Sequence, residues 1–225
     1  MDRTKHTPIT YGNAALNLLL ARKPEVAIVG TGRSGTKYMS EMLTRSGYNC
    51  SHESYFTPKG PFLRNTQRSY KARADASWLA VPYLPDSNIM VIHIVRHPLR
   101  VIRSFFNMGF FKPGILRYKP FVTFARAHFE YTGDPMRDCL RWYVEWNERC
   151  EAITDRRLSL ERLDDNLGIL SEWLNYQVTL VDVSKRTNAR RPVVDNPEDE
   201  VIDRLTKYPE FSRLQAMAAR YEYDL

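Results

Sequence analysis

Glu25-Val26-Ala27-Ile28-Val29-Gly30 is the segment that most limits what this chain can become. An apolar run with no polar alternation suits a strand buried on both faces, as in a parallel sheet. The run ends in glycine and continues as Thr31-Gly32-Arg33-Ser34-Gly35-Thr36-Lys37. From Thr36 to Ser46 the pattern is helical, with Met39, Met42 and Leu43 at helical spacing and Gly47 just past the end. Strand, glycine loop and helix in that order make an anion cradle. The loop turns backbone N–H groups inward, and the helix adds the positive end of its dipole.

Gly30 and Gly35 match the two glycines of the GxxxxGKS/T nucleotide loop. The match then departs. A kinase or ATPase continues with Lys and then a hydroxyl residue that holds Mg²⁺; here Thr36 comes first and Lys37 second. The metal-binding hydroxyl is out of place, while the cations Arg33 and Lys37 remain. Such a loop suits transfer of a group that needs cationic help but no bridging metal. A sulfuryl group within a phosphosulfate carries one negative charge where a terminal phosphoryl carries about two, so it needs less neutralisation.

The rest of the chain repeats the strand-then-helix order. Tyr48–Cys50, Met90–Val95 and Arg157–Leu160 read as strands, and Val178–Val183 as an edge strand. Helices are expected over residues 13–22, Pro98–Asn107, Arg137–Asp155, Asp164–Tyr176, Pro197–Lys207 and Phe211–Tyr223. The alternation predicts a three-layer α/β/α fold with a central parallel sheet, of the P-loop nucleotide-binding type. At 225 residues the chain is one domain, 1–225, and hides roughly 70% of its unfolded surface. Trp142 and Trp146, four apart on the long helix, read as core, as does His93 on its strand. The stretch 108–134 does not fit the alternation. It carries Phe110, Phe111, Tyr118, Phe121, Phe124, Phe129 and Tyr131 among Pro113, Gly114, Pro120 and Gly133. It is either a packed irregular connection or a substrate-facing lid.

A second constellation follows the Met90–Val95 strand. Arg96 stands at its carboxyl end, and Ser104 lies eight residues on, in the next helix. Ligands of open α/β sheets bind outside those strand ends, so Arg96 should face the same crevice as the glycine loop. A guanidinium and a hydroxyl suit a second phosphate. The alternative is that Arg96 caps the sheet by pairing with a carboxylate. Two separate phosphate sites point to a nucleotide bisphosphate rather than ATP.

At this point the sequence resembles the sulfotransferases that use 3′-phosphoadenosine-5′-phosphosulfate. Val29 to Thr36 looks like the family's 5′-phosphosulfate loop, in the Arg-Ser-Gly-Thr form of tyrosylprotein and many bacterial members. Ile94-Val95-Arg96-His97-Pro98 through Ser104 looks like its 3′-phosphate motif. Arg186-Thr187-Asn188-Ala189-Arg190-Arg191-Pro192 loosely resembles the late basic loop that covers the cofactor, and Ala219 to Tyr223 the terminal helix. Lys37 departs from the family's Thr or Ser. The resemblance implies a cofactor site built from Gly30, Thr31, Gly32, Arg33, Ser34, Gly35, Thr36, Lys37, Arg96, Ser104, Arg190 and Arg191. It implies 3′,5′-adenosine bisphosphate as product and a hydroxyl acceptor such as a sugar, a phenol or a peptide tyrosine.

The chemistry also needs a base and a cation at the leaving oxygen. Arg33 is placed for the leaving group by its position in the loop. For the base, the resemblance favours Glu53, twenty residues beyond Arg33. His52 competes, with an ordinary pKa nearer neutrality, and Asp75 is a third candidate or a substrate contact.

Composition narrows the partners. Lys plus Arg is 33 against 26 for Asp plus Glu, a formal +7 that asks for an anionic partner. Without a stacking-platform motif, a nucleic-acid-binding module is the weaker rival, and a metal-dependent small-molecule kinase the nearer one. No His/Cys/carboxylate cluster has zinc spacing. Three cysteines give no disulfide framework, and the polar opening residues predict no targeting or membrane-spanning segment, so a cytoplasmic setting is expected.

Overall fold

The run after Pro24 forms β1 (Val26–Val29), buried along its whole length. The computed structural model describes residues 23–58, 71–112, 114, 119–180 and 198–225. The other strands are β2 (Cys50–His52), β3 (Ala74–Ala76), β4 (Met90–Val95) and β5 (Arg157–Ser159). They lie in the order β2-β3-β1-β4-β5, every pairing parallel, with Val26 beside Met90 and Val29 beside His93. From β1 the chain crosses to the far edge, returns through β3, then passes over β1 to β4. The switch in direction therefore falls between β1 and β4, whose carboxyl ends open into one crevice.

Helices cover both faces. They are α1 (Thr36–Arg45), α2 (Pro98–Met108), α3 (Lys119–His128), α4 (Pro135–Glu151), α5 (Leu167–Leu174), α6 (Glu198–Leu205) and α7 (Phe211–Arg220). Alternation along the central strands feeds two cores. Val26, Ile28, Ile92 and Ile94 pack with Met39, Met42 and Leu43 of α1 and Leu170 and Leu174 of α5. Ala27, Val29, Val91 and Val95 point the other way, into α2, α4 and α7 with Ile102, Trp142 and Met217. This is the three-layer α/β/α sandwich. Among the described residues no helix is long and apolar enough to cross a membrane.

Several expectations shift. The strand expected at Tyr48–Cys50 begins at Cys50, because the Tyr48 N–H is spent on the Leu43 carbonyl at the end of α1. The helix expected from Arg137 starts at Pro135, since the Asp134 carboxylate accepts from the N–H groups of Met136 and Arg137. It ends at Glu151, four residues short. Asp164–Tyr176 divides into a 3₁₀ turn (Asp164–Asn166) and α5, closed by Asn175 at φ 45°. Val178–Leu180 pairs with no strand; residues 181–183 and the expected helix over 13–22 lie outside the described residues. The irregular stretch 108–134 contains α3. Phe110, Phe111, Phe124 and Phe129 are buried against Trp78, Trp142 and Trp146, most of them edge to face. His93 is buried, its Nε2 2.9 Å from Asn147 Oδ1, and the Trp142 and Trp146 rings stack at 4.4 Å within the core.

Candidate active site

A cleft of about 620 Å³ opens at the carboxyl ends of β1 and β4, within the roughly 300–1,000 Å³ of small-molecule sites. The glycine loop forms one wall. Arg33 sits at φ 72° and Gly35 at φ 105°, so the backbone turns left-handed twice in three residues. Gly35 gains this without strain; Arg33 must be held there. A side chain at Gly32 would put its Cβ 2.7 Å from the Phe105 ring, so α2 presses directly on the loop.

The two basic motifs meet. Arg33 Nε donates to Ser104 Oγ at 2.8 Å, and Arg96 Nη1 donates to the Arg33 carbonyl at 3.2 Å. Ser104 thus faces the loop arginine. The Tyr143 hydroxyl donates to the Arg96 carbonyl at 2.8 Å and fixes that corner of β4. Arg96 Nε also lies 3.7 Å from Glu161 Oε1, so the sheet-capping pairing and the cleft-facing placement coexist. Lys37 lines the cleft from the first turn of α1, 3.6 Å from Glu41. Thr31 is buried, and its hydroxyl has no hydrogen-bond partner among the described residues. Arg190 and Arg191 lie outside the described residues.

The opposite wall carries His52, the last residue of β2, and Glu53 just after it. Glu53 is the second non-glycine residue of the cleft in the left-handed region, at φ 50°. Burial, helped by the nearby Asp75 charge, pushes its carboxyl up to about 7, against a pull downward from a hydrogen bond with the Trp78 side chain. Burial, then Lys37, holds His52 down to about 4. Their 3.7 Å contact is therefore not an ion pair, because between those two values both groups are neutral. His52 Nε2 is 3.3 Å from the Thr36 hydroxyl, which ties this wall to the start of α1.

Asp75, expected as a third base candidate or a substrate contact, does not line the cleft. It is fully buried on β3, with its oxygens accepting from Ser51 Oγ and from the N–H groups of Ser54 and Phe56. It cannot meet a substrate; it holds the loop that bears Glu53. Trp78, Met108, Phe110 and Phe121 complete the cleft as an aromatic and apolar wall. Trp78 escaped the sequence reading because one Trp in a short 3₁₀ segment has no periodic partner. Among the described residues no group of three His, Cys, Asp or Glu side chains is placed to hold a metal ion.

No family model and no curated protein matches the sequence. Among solved structures, the chain is similar to a sulfotransferase from Alicyclobacillus acidocaldarius. The identity is 16% and the TM-score 0.49, over 91% of this chain and 98% of that one.

Proposed function

We propose that this chain is a sulfotransferase moving a sulfuryl group from 3′-phosphoadenosine-5′-phosphosulfate to a hydroxyl acceptor by in-line displacement. One observation carries the reading: motifs 71 residues apart meet side chain to side chain, Arg33 on Ser104, with Arg96 on the Arg33 carbonyl. A glycine loop alone would serve any nucleotide. A second cation at the neighbouring strand end favours a ligand with two separated phosphates.

The residues fit such a ligand. Side chains at Gly30 and Gly32 would strike the Ile94 carbonyl and the Phe105 ring, so the loop keeps a bare backbone. The buried Thr31 hydroxyl has no hydrogen-bond partner among the described residues. The loop from Gly30 to Lys37 would hold the 5′ end, and Arg96 with Ser104 the 3′-phosphate. When bound, 3′-phosphoadenosine-5′-phosphosulfate supplies the sulfuryl group and a bisphosphate leaving group. Arg33 and Lys37 neutralise charge at the leaving oxygen. Glu53 accepts the proton of the acceptor hydroxyl, and a carboxyl near 7 is suited to hold and release it close to neutrality. Tying His52 to Thr36 leaves the proton to Glu53. The 108–134 segment serves the acceptor side through Met108, Phe110 and Phe121. That wall favours a flat apolar acceptor, which a phenol or a peptide tyrosine presents more fully than a sugar.

Calorimetry with 3′,5′-adenosine bisphosphate tests the reading. Micromolar binding that exceeds ADP by tenfold or more supports it (about 1.4 kcal/mol). Equal affinity for ADP, or Mg²⁺-dependent binding of ATP, would replace it with a kinase. Salt-sensitive binding of DNA or RNA without preference for the bisphosphate would replace it with a polyanion module.

A further inference from the structure

The end of β3 grips the 51–56 loop along its length. Asp75 Oδ1 accepts from Ser51 Oγ at 2.5 Å and from Ser54 N–H at 3.2 Å, and Oδ2 from Phe56 N–H at 3.0 Å. The Ala76 carbonyl accepts from Glu53 N–H at 3.3 Å, and Ser77 Oγ donates to the Phe56 carbonyl at 3.0 Å. Trp78, next in sequence, lines the same cleft as Glu53 and draws its carboxyl downward. Glu53 at φ 50° is a strained point that this clamp surrounds.

We infer that Asp75 is a positioning residue, which fixes the Glu53 carboxylate at the seam between the cationic loop and the aromatic wall. Its bearing on transfer rests on the reading of Glu53 as the base. A backbone carbonyl or an amide could have tied the loop without burying a charge, and a buried charge is costly unless fully paired. Burial pushes the Asp75 carboxyl up, but Ser51 Oγ and the N–H groups of Ser54 and Phe56 all donate to it, the arrangement of an ionised carboxylate, and pull it back down. Its negative charge therefore stands behind Glu53 and disfavours a second one there, while the Trp78 indole favours it. The other charged or titratable groups on the cleft are His52 beside Glu53, Arg33 in the glycine loop, Lys37 and Tyr38 on α1, and Arg96 past β4. Asp75 and Trp78 thus act on Glu53 with opposite sign, and loosening of the loop would not imitate that.

The full chain is labelled with ¹³C at the Glu side-chain carboxyl carbons, and Glu53→Gln assigns the Glu53 resonance. The wild-type midpoint is expected near 7. Asp75→Asn should lower it by about one pH unit, and Trp78→Phe should raise it. An unmoved midpoint in Asp75→Asn, or a fall in both variants toward the solvent value, overturns the inference. If Asp75→Asn does not fold, Ser51→Ala removes a donor that offsets part of the Asp75 charge and should raise the midpoint; no rise there overturns it equally. In transfer assays the acid limb of Asp75→Asn should move down with the titration, with bisphosphate affinity changed less than twofold. Retained transfer in Glu53→Gln would sink the base reading alone, because the titration reports the clamp whatever Glu53 does.

Discussion

The two side chains given the chemistry, Arg33 and Glu53, both stand in the left-handed region, where a non-glycine residue costs about 1–2 kcal/mol. Each is held there from outside: Arg33 by Ser104 and Arg96, Glu53 by the end of β3. Arg33 was legible in the sequence because a glycine loop names its own members. Glu53 was legible only through a family resemblance, since nothing local marks it out. Asp75 reads as a site residue in sequence because its partners lie some twenty residues upstream, on β2 and in the loop after it. A prediction follows from the Glu53 charge. Its carboxyl rises from an ordinary 4.5 to about 7 on folding, so the folded state binds the extra proton between those values. The stability it contributes is whole below 4.5 and is lost as pH rises through 7. Glu53→Gln should therefore match the wild type near pH 5 and exceed it near pH 8.5 by about 1–3 kcal/mol, while losing transfer. Urea unfolding at the two pH values checks this. A Gln variant no more stable at the higher pH would remove the buried-charge argument.

At the scale of elements, long apolar runs were readable and short polar ones were not. β1 and β4 are buried on both faces, so continuous hydrophobicity announced them. β3 is Ala-Asp-Ala, three residues whose strand character comes from lying between β1 and β2 rather than from side-chain pattern. The helix within 108–134 was hidden by Pro120 and by an aromatic spacing that serves two surroundings, the core below and the cleft above. α4 misled differently. Its start is set by one capping side chain, whereas periodicity reports only where the apolar face becomes regular. Asp134 also accepts a hydrogen bond from the Tyr208 hydroxyl at 2.7 Å, tying α4 to the chain ahead of α7. Asp134→Ala should destabilise the protein by about 1–2 kcal/mol, and Asp134→Ser, which keeps a cap acceptor, should recover part of that. Thermal unfolding followed by circular dichroism gives both numbers. Equal loss in the two variants would assign the effect to Tyr208 rather than to the cap.

For the whole molecule, the surplus of seven positive charges needs a location more than a total. Many surface arginines already have carboxylates: Arg73 with Glu25, Arg137 with Glu210, Arg141 with Glu145, Arg213 with Glu148. At the crevice the ratio changes. Arg33, Lys37 and Arg96 line one cleft, and the carboxyl across from them, Glu53, is neutral over part of the acidic range. Low-dielectric walls around such a set concentrate its field on whatever anion enters. The sheet order creates the arrangement, since only at the switch between β1 and β4 do two strand ends offer both a loop and a free corner for Arg96. A ligand held at both ends should therefore stabilise the fold as a unit. At a hundredfold excess over its Kd, 3′,5′-adenosine bisphosphate should add about 2.7 kcal/mol, or roughly 5–10 °C in Tm for a chain of this size. Arg96→Ala should lose most of the ligand shift while lowering the unliganded Tm by only a few °C, because the side chain is 32% exposed, its carboxylate contact is long, and one hydrogen bond to the Arg33 carbonyl is lost. AMP, which lacks the 3′-phosphate, should give both proteins the same small shift. If AMP stabilised the wild type as much as the bisphosphate does, Arg96 would be a cap on the sheet and the second phosphate site would not exist.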